Sequence, residues 1–192
     1  MNIKPILFNT AMVRAILEGR KTQTRRIIKP QPTNPRWNNV GWLGWDDGHG
    51  YCMKPPCMVG DVLWVRETFD NVAMGHPWYY KADGDLRPEY WKGERWMPSI
   101  HMPKEAARIF LRVKDVRVEL LDSMSEEDAI AEGFADSPSG TDSPLDRFSY
   151  LWNKTIKRED LREFGYHANP WVWVIEFERC GKPEGWCEWW QK

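Results

Sequence analysis

Apolar and polar positions alternate in several distinct rhythms along the chain. Residues 5–9, PILFN, read as a short strand, and Asn9 or Thr10 caps the helix that AMVRAILEG predicts. Met12, Val13, Ile16 and Leu17 recur at helical spacing, and Gly19 suits the left-handed position that ends such a helix. Residues 21–24 then enter an extended segment that Pro30 and Pro32 close, with Thr22 and Thr24 on one face and Gln23 on the other. Residues 31–57, rich in Pro, Asn, Gly and Trp, read as a long loop or decorated insertion. Gly60-Asp61 is a turn signal before the strand Val62-Leu63-Trp64-Val65. Residues 70–103 lack periodicity except for a short strand and turn in WYYKADG. ARIFLRVKDVRVELL alternates over many positions, as one long or bent strand does. SMSEEDAIAEGF predicts a helix capped by Ser125, with Asp128 in the capping-box position and Gly133 at its end. A Ser/Pro/Gly/Asp loop leads to a second amphipathic helix in PLDRFSYLWNKTI, and NPWVWVIEFER is a strand entered through Pro170.

The order is strand, helix, several strands, two helices, strand. It predicts an α+β domain with a curved or barrel-like sheet. There is no internal repeat and no clean linker, so residues 1–192 read as a single domain with insertions at roughly 31–57 and 70–103.

Composition narrows the function classes. The chain is 42% hydrophobic and 29% charged, which is globular and not disordered. No apolar run approaches the roughly 20 residues of a membrane span, and the N-terminal residues carry no signal-peptide core, so the expectation is a cytoplasmic protein with no membrane partner. A net charge of −1 supplies no global field for nucleic acid. Any such contact falls to a local patch, and LEGRKTQTRR, with Arg20, Lys21, Arg25 and Arg26, is the best candidate. Cys52, Cys57, Cys180 and Cys187, with His49 nearby, lack the two-residue gap of common zinc knuckles and read as reduced thiols; no metal or cofactor is expected. The 13 tryptophans serve either as anchors for loops or as platforms for stacked bases.

The blocks ILEGRKTQTRR, VGDVLWVRETF, SEEDAIAEGF and NPWVWVIEF occur in one order along the chain, and in that order they resemble the ASCH family of the PUA-like group. Larger members carried by bacteriophages and prophages also share PSIHMPKEAARI. The resemblance implies a small PUA-like β-barrel flanked by helices, with a cleft for a nucleoside or nucleic acid. One branch of the family removes the acetyl group from N(4)-acetylcytidine, with its functional lysine and threonine in a G-x-K-T-x-T pattern. Carried over, Lys21 is the proton acceptor and Thr24 the nucleophile. An A-x-x-E pattern, here Ala129 to Glu132, makes Glu132 the proton donor. The compact enzymes lack the two long insertions, which could line, occlude or re-aim the cleft.

The chemistry sets conditions. A threonine hydroxyl is inert until a base takes its proton, and lysine serves only when its pKa is depressed from about 10.4 by burial or like charges. Glu132 needs the opposite shift. Arg66 could hold a phosphate or a carboxylate, with Glu67 as its pair, and His101 could contact a base edge or shuttle a proton. Each has a plain structural alternative: a solvated lysine, a packed threonine, a surface carboxylate, an Arg–Glu pair, a packing histidine. Three functions follow: an amidohydrolase acting on a modified cytidine; a non-catalytic binding module for RNA or modified DNA, with a ribonuclease as its variant; or a phage assembly protein. The expected partner is a modified nucleoside or single-stranded nucleic acid, and the expected state a monomer.

Overall fold

The computed structural model describes residues 1–37, 42–46, 49–71, 78–135 and 141–186. In chain order the elements are β1 (Ile3–Leu7), α1 (Thr10–Leu17), β2 (Gln23–Ile27), β3 (Thr33–Trp37), β4 (Trp42–Asp46), β5 (His49–Met53), β6 (Val62–Arg66), β7 (Phe69–Asp70), β8 (Tyr79–Tyr80), β9 (Phe110–Leu120), α2 (Glu126–Ala131), α3 (Pro144–Thr155), α4 (Leu161–Phe164) and β10 (Trp171–Cys180). The class is α+β. The chain forms two compact units, each assembled from separated segments.

The first unit comprises Met1–Gly19, Gly60–Val113 and the stretch from Glu178. Asn9 caps α1 by accepting from the Met12 amide, and Gly19, at φ 77°, ends it in the left-handed region as the sequence predicts. β1 lies parallel to β6, and β6 pairs antiparallel with the first residues of β9, Trp64 opposite Phe110. Val62, Trp64, Phe110 and Trp186 form one apolar cluster; Phe69, Met102 and Ala106 form another. The insertion at 70–103 is held by charge more than by periodicity. Arg87 is buried, bonds Asp70 and Asp85 at 2.8 Å each and lies over the Trp96 ring, while Trp91 donates to Asp70. Trp91 and Trp96 are therefore loop anchors.

The second unit comprises Arg20–Val59 and Lys114–Phe177. β10 pairs antiparallel with β2, setting Val174 opposite Arg25 and Ile175 opposite Thr24. Leu121, Met124, Ala129, Phe148, Trp152, Val172 and Val174 make its core. Residues 31–57, expected as a long loop or decorated insertion, carry the three-stranded antiparallel sheet β3-β4-β5, with Leu43 opposite Cys52 and Gly44 opposite Tyr51. Glycines interrupt the alternation there, but the Trp and Tyr residues favour a pleated surface once a partner strand is adjacent.

Across the chain the strand order is β1-β6-β9-β10-β2. Among the described residues this sheet is open, not a closed barrel. Pro5 within β1 offers no N–H, as an end strand tolerates, and the chain leaves β2 toward Pro30 and Pro32. No described helix is long and apolar enough to cross a membrane. Among the described residues no cluster of His, Cys, Asp or Glu could hold a metal; Cys187 and the tryptophans at 189 and 190 lie outside them.

Candidate active site

The second unit brings the basic stretch against the C-terminal end of α2. Ser125 and Asp128 close a capping box at the start of α2, and Gly133, at φ 98°, ends it. Two backbone bonds stitch this end to the sheet: the Thr22 amide donates to Ala131 O at 2.8 Å, and the Phe177 amide to Thr22 O at 2.8 Å. Glu132 is thereby fixed beside the segment that enters β2.

Lys21 is not the solvated lysine that its basic neighbours suggest. Its side chain is 0% exposed and that of Glu132 is 2% exposed. Lys21 Nζ donates to Glu132 Oε2 at 2.6 Å, to Glu132 O at 2.9 Å and to Gln23 O at 2.8 Å, an acceptor for each ammonium proton. Burial drives the Lys21 pKa down; the Glu132 carboxylate opposes that, and Arg26 and Arg25 add to it, leaving a net lowering.

The same geometry accommodates a second protonation state. A neutral amine could keep its two N–H bonds to the Gln23 and Glu132 carbonyls while its lone pair accepts a proton held by Glu132 Oε2. Ion pair and neutral pair differ by one proton moved across a short contact, and low dielectric narrows the gap between them.

Arg25 is equally buried. Its Nη2 lies 3.2 Å from Asp128 Oδ2 and 3.5 Å from Glu119 Oε2, and its Nη1 lies 3.5 Å from Glu132 Oε1. Gln23 Nε2 donates to both Asp128 O and Asp128 Oδ1. Lys21, Gln23 and Arg25 thus all engage α2 or the residue that ends it, as alternate residues of an extended segment do. Strand alternation assigns Thr24, itself buried, to the other face. Arg26 is half-buried; burial lowers its pKa, while Glu132 and Cys57 counter that. Arg20 donates to Gly133 O at 2.7 Å, at the exposed rim of the turn.

An open depression of about 340 Å³ lies alongside, lined in part by Thr22, Gln23, Lys114, Asp128, Glu176 and Phe177. Gln23 and Asp128, which line it, are also the direct partners of Lys21 and Arg25. Sequence reasoning missed Gln23, Lys114 and Glu176, and read Asp128 only as a helix cap. The signal that could have found Asp128 was the need of a buried Arg25 for a carboxylate.

The remaining expected site residues belong to the first unit. Glu67 does not pair with Arg66. Its carboxylate accepts from Arg108 Nε at 2.8 Å and Nη2 at 3.0 Å, because Arg108 presents both donors from just before β9, and burial raises the Glu67 pKa against the pull of Arg108. Arg66 donates to Ile100 O, and His101 ends an exposed turn.

No family model matches the chain, and no curated protein does. Among solved structures it is similar to an ASCH domain from Lactobacillus crispatus JV V101, at 14% identity and a TM-score of 0.47, over 93% of this chain and 79% of that chain.

Proposed function

We propose that the second unit carries an amidohydrolase site that removes the acyl group from N(4)-acetylcytidine or a related modified cytidine. Lys21 is the base, Thr24 the nucleophile and Glu132 the proton donor; because alternation turns Thr24 away from the face that Lys21 shares with α2, the reading has its proton reach Lys21 through a water. The observation that carries this reading is the buried contact of 2.6 Å between Lys21 Nζ and Glu132 Oε2, together with the lowered Lys21 pKa.

Amide hydrolysis needs a base and an acid in the same site, each in its neutral form before attack. The neutral tautomer of this pair supplies both at once. In the proposed cycle a hydroxyl oxygen bonds the acyl carbon while its proton passes to the Lys21 amine. The C–N bond then breaks as the cytosine N4 takes the proton of Glu132. Lys21 is left protonated, Glu132 ionised and the acyl group as an ester on Thr24. One proton transfer resets the pair. Water then gives a proton to Lys21 as it adds to the ester carbonyl, and the acid leaves as Glu132 returns a proton to the Thr24 oxygen, after which the same transfer restores the starting state. Arg20 and Arg26 stand as proposed ligand contacts.

The test is release of acetate from N(4)-acetylcytidine by the purified protein. Lys21→Ala is expected to lower the rate about 10²–10⁴-fold, the usual worth of a general base. Thr24→Ala separates two routes: loss of turnover and of a trapped acyl-enzyme marks threonine as nucleophile, whereas retained turnover assigns the attack to water. No acetate release by the wild type removes the reading. Salt-dependent binding of RNA or modified DNA without acetyl release would favour the binding module instead.

A further inference from the structure

Arg25 is more deeply buried than its described partners explain. Its side chain is 0% exposed. Only Nη2 faces Asp128 and Glu119; Nε and Nη1 are buried without a hydrogen-bond partner, and so is Glu132 Oε1, 3.5 Å from Nη1. Folded proteins rarely leave a buried charged donor unmatched. Glu132 is also the partner of Lys21, and Glu119 is shared with Arg117, so the carboxylates around Arg25 are engaged elsewhere as well. The chemistry that completes this arrangement is small, anionic and rich in acceptors.

We infer that Arg25 forms a subsite for a small carboxylate or oxyanion, and that it receives the acyl oxygen of the substrate during hydrolysis. The inference rests on the amidohydrolase reading for its catalytic part, and the anion subsite itself stands on the unmatched guanidinium. As the nucleophile's oxygen bonds the acyl carbon, the carbonyl π pair moves onto the acyl oxygen. Arg25 donates to that oxyanion through nitrogens already desolvated and fixed by Asp128, so little reorganisation opposes the step. When the C–N bond breaks the pair returns to re-form the carbonyl, and after hydrolysis the product acetate occupies the same donors.

Two measurements test this. The first uses the wild type alone: sodium acetate, against sodium chloride at equal ionic strength, is titrated while the ¹⁵N–¹H resonances of arginine Nε groups are followed. One protected Nε–H is expected to shift with saturation. Its absence from Arg25→Lys, which has no Nε–H at that position, assigns it. A titration that moves no arginine resonance overturns the subsite. The second compares turnover. Arg25→Gln is expected to lower kcat about 10²–10³-fold, as removal of an oxyanion donor does, with KM changed less than threefold. Restored turnover of Arg25→Gly by added guanidinium is expected too. An Arg25→Gln kcat within threefold of the wild type overturns the inference while leaving the hydrolase reading in place. Saturable acetate binding at Arg25 without any turnover upholds the subsite and removes the hydrolase.

Discussion

Lys21 feels burial and charge pulling in opposite directions, and Glu132 is what separates the two. Because the carboxylate raises a pKa that burial lowers, Glu132→Gln is expected to lower the Lys21 pKa further. The loss of stability should be about 3–5 kcal/mol at neutral pH, the usual cost of breaking a buried pair. Its pH dependence has a fixed sign. A lysine whose folded pKa is depressed binds fewer protons folded than unfolded, so stability rises with pH from the folded pKa toward about 10.4, the unfolded value. In Glu132→Gln that window reaches to lower pH, and the deficit should shrink on approach to about 10.4. Urea titrations of both proteins across the alkaline range measure it; a deficit independent of pH would contradict a buried, titrating Lys21. Lys21 and Glu132 were legible together only through the family resemblance that their motifs carry. Their burial was not legible, because a run of basic residues looks the same whether it faces water or a helix end.

α2 works through its ends. Gly133 has φ 98°, a conformation that side chains rarely adopt, and its carbonyl accepts from Arg20. Gly133→Ala should cost about 1–3 kcal/mol in backbone strain. It should also lower turnover, because the turn that follows Glu132 has to shift; denaturant midpoints and kcat on one sample give both. Unchanged stability would mean the turn is not constrained there. The stop at Gly133, the cap at Ser125 and the long alternation of β9 could be read from the sequence because each is written in neighbouring residues. The β3-β4-β5 sheet could not. Its pairs are local, Trp37 opposite Trp42 and Asp46 opposite His49, but glycines and a proline interrupt the alternation that would mark the strands.

For the molecule as a whole, the candidate site rests on the aromatic core of its own unit, which holds α2 through Ala129. Phe148 is 4% exposed and packs its ring against Phe134, Trp152 and Tyr166 at 5.7, 5.7 and 6.3 Å between centroids. Phe148→Ala should cost about 3–5 kcal/mol, read as a lower urea midpoint with unchanged slope. A loss below about 1 kcal/mol would mean the aromatic cluster repacks. The α+β class was legible from element order, but the openness of the sheet was not, since closure depends on which strands end it. Asp128 carries an implication for the lineage of this protein. One carboxylate caps α2 at the Ser125 amide, anchors Gln23 and holds Arg25. An exchange at any of these positions strands the others, so relatives that abandon one should have abandoned the set, and their sequences should show these positions drifting in concert.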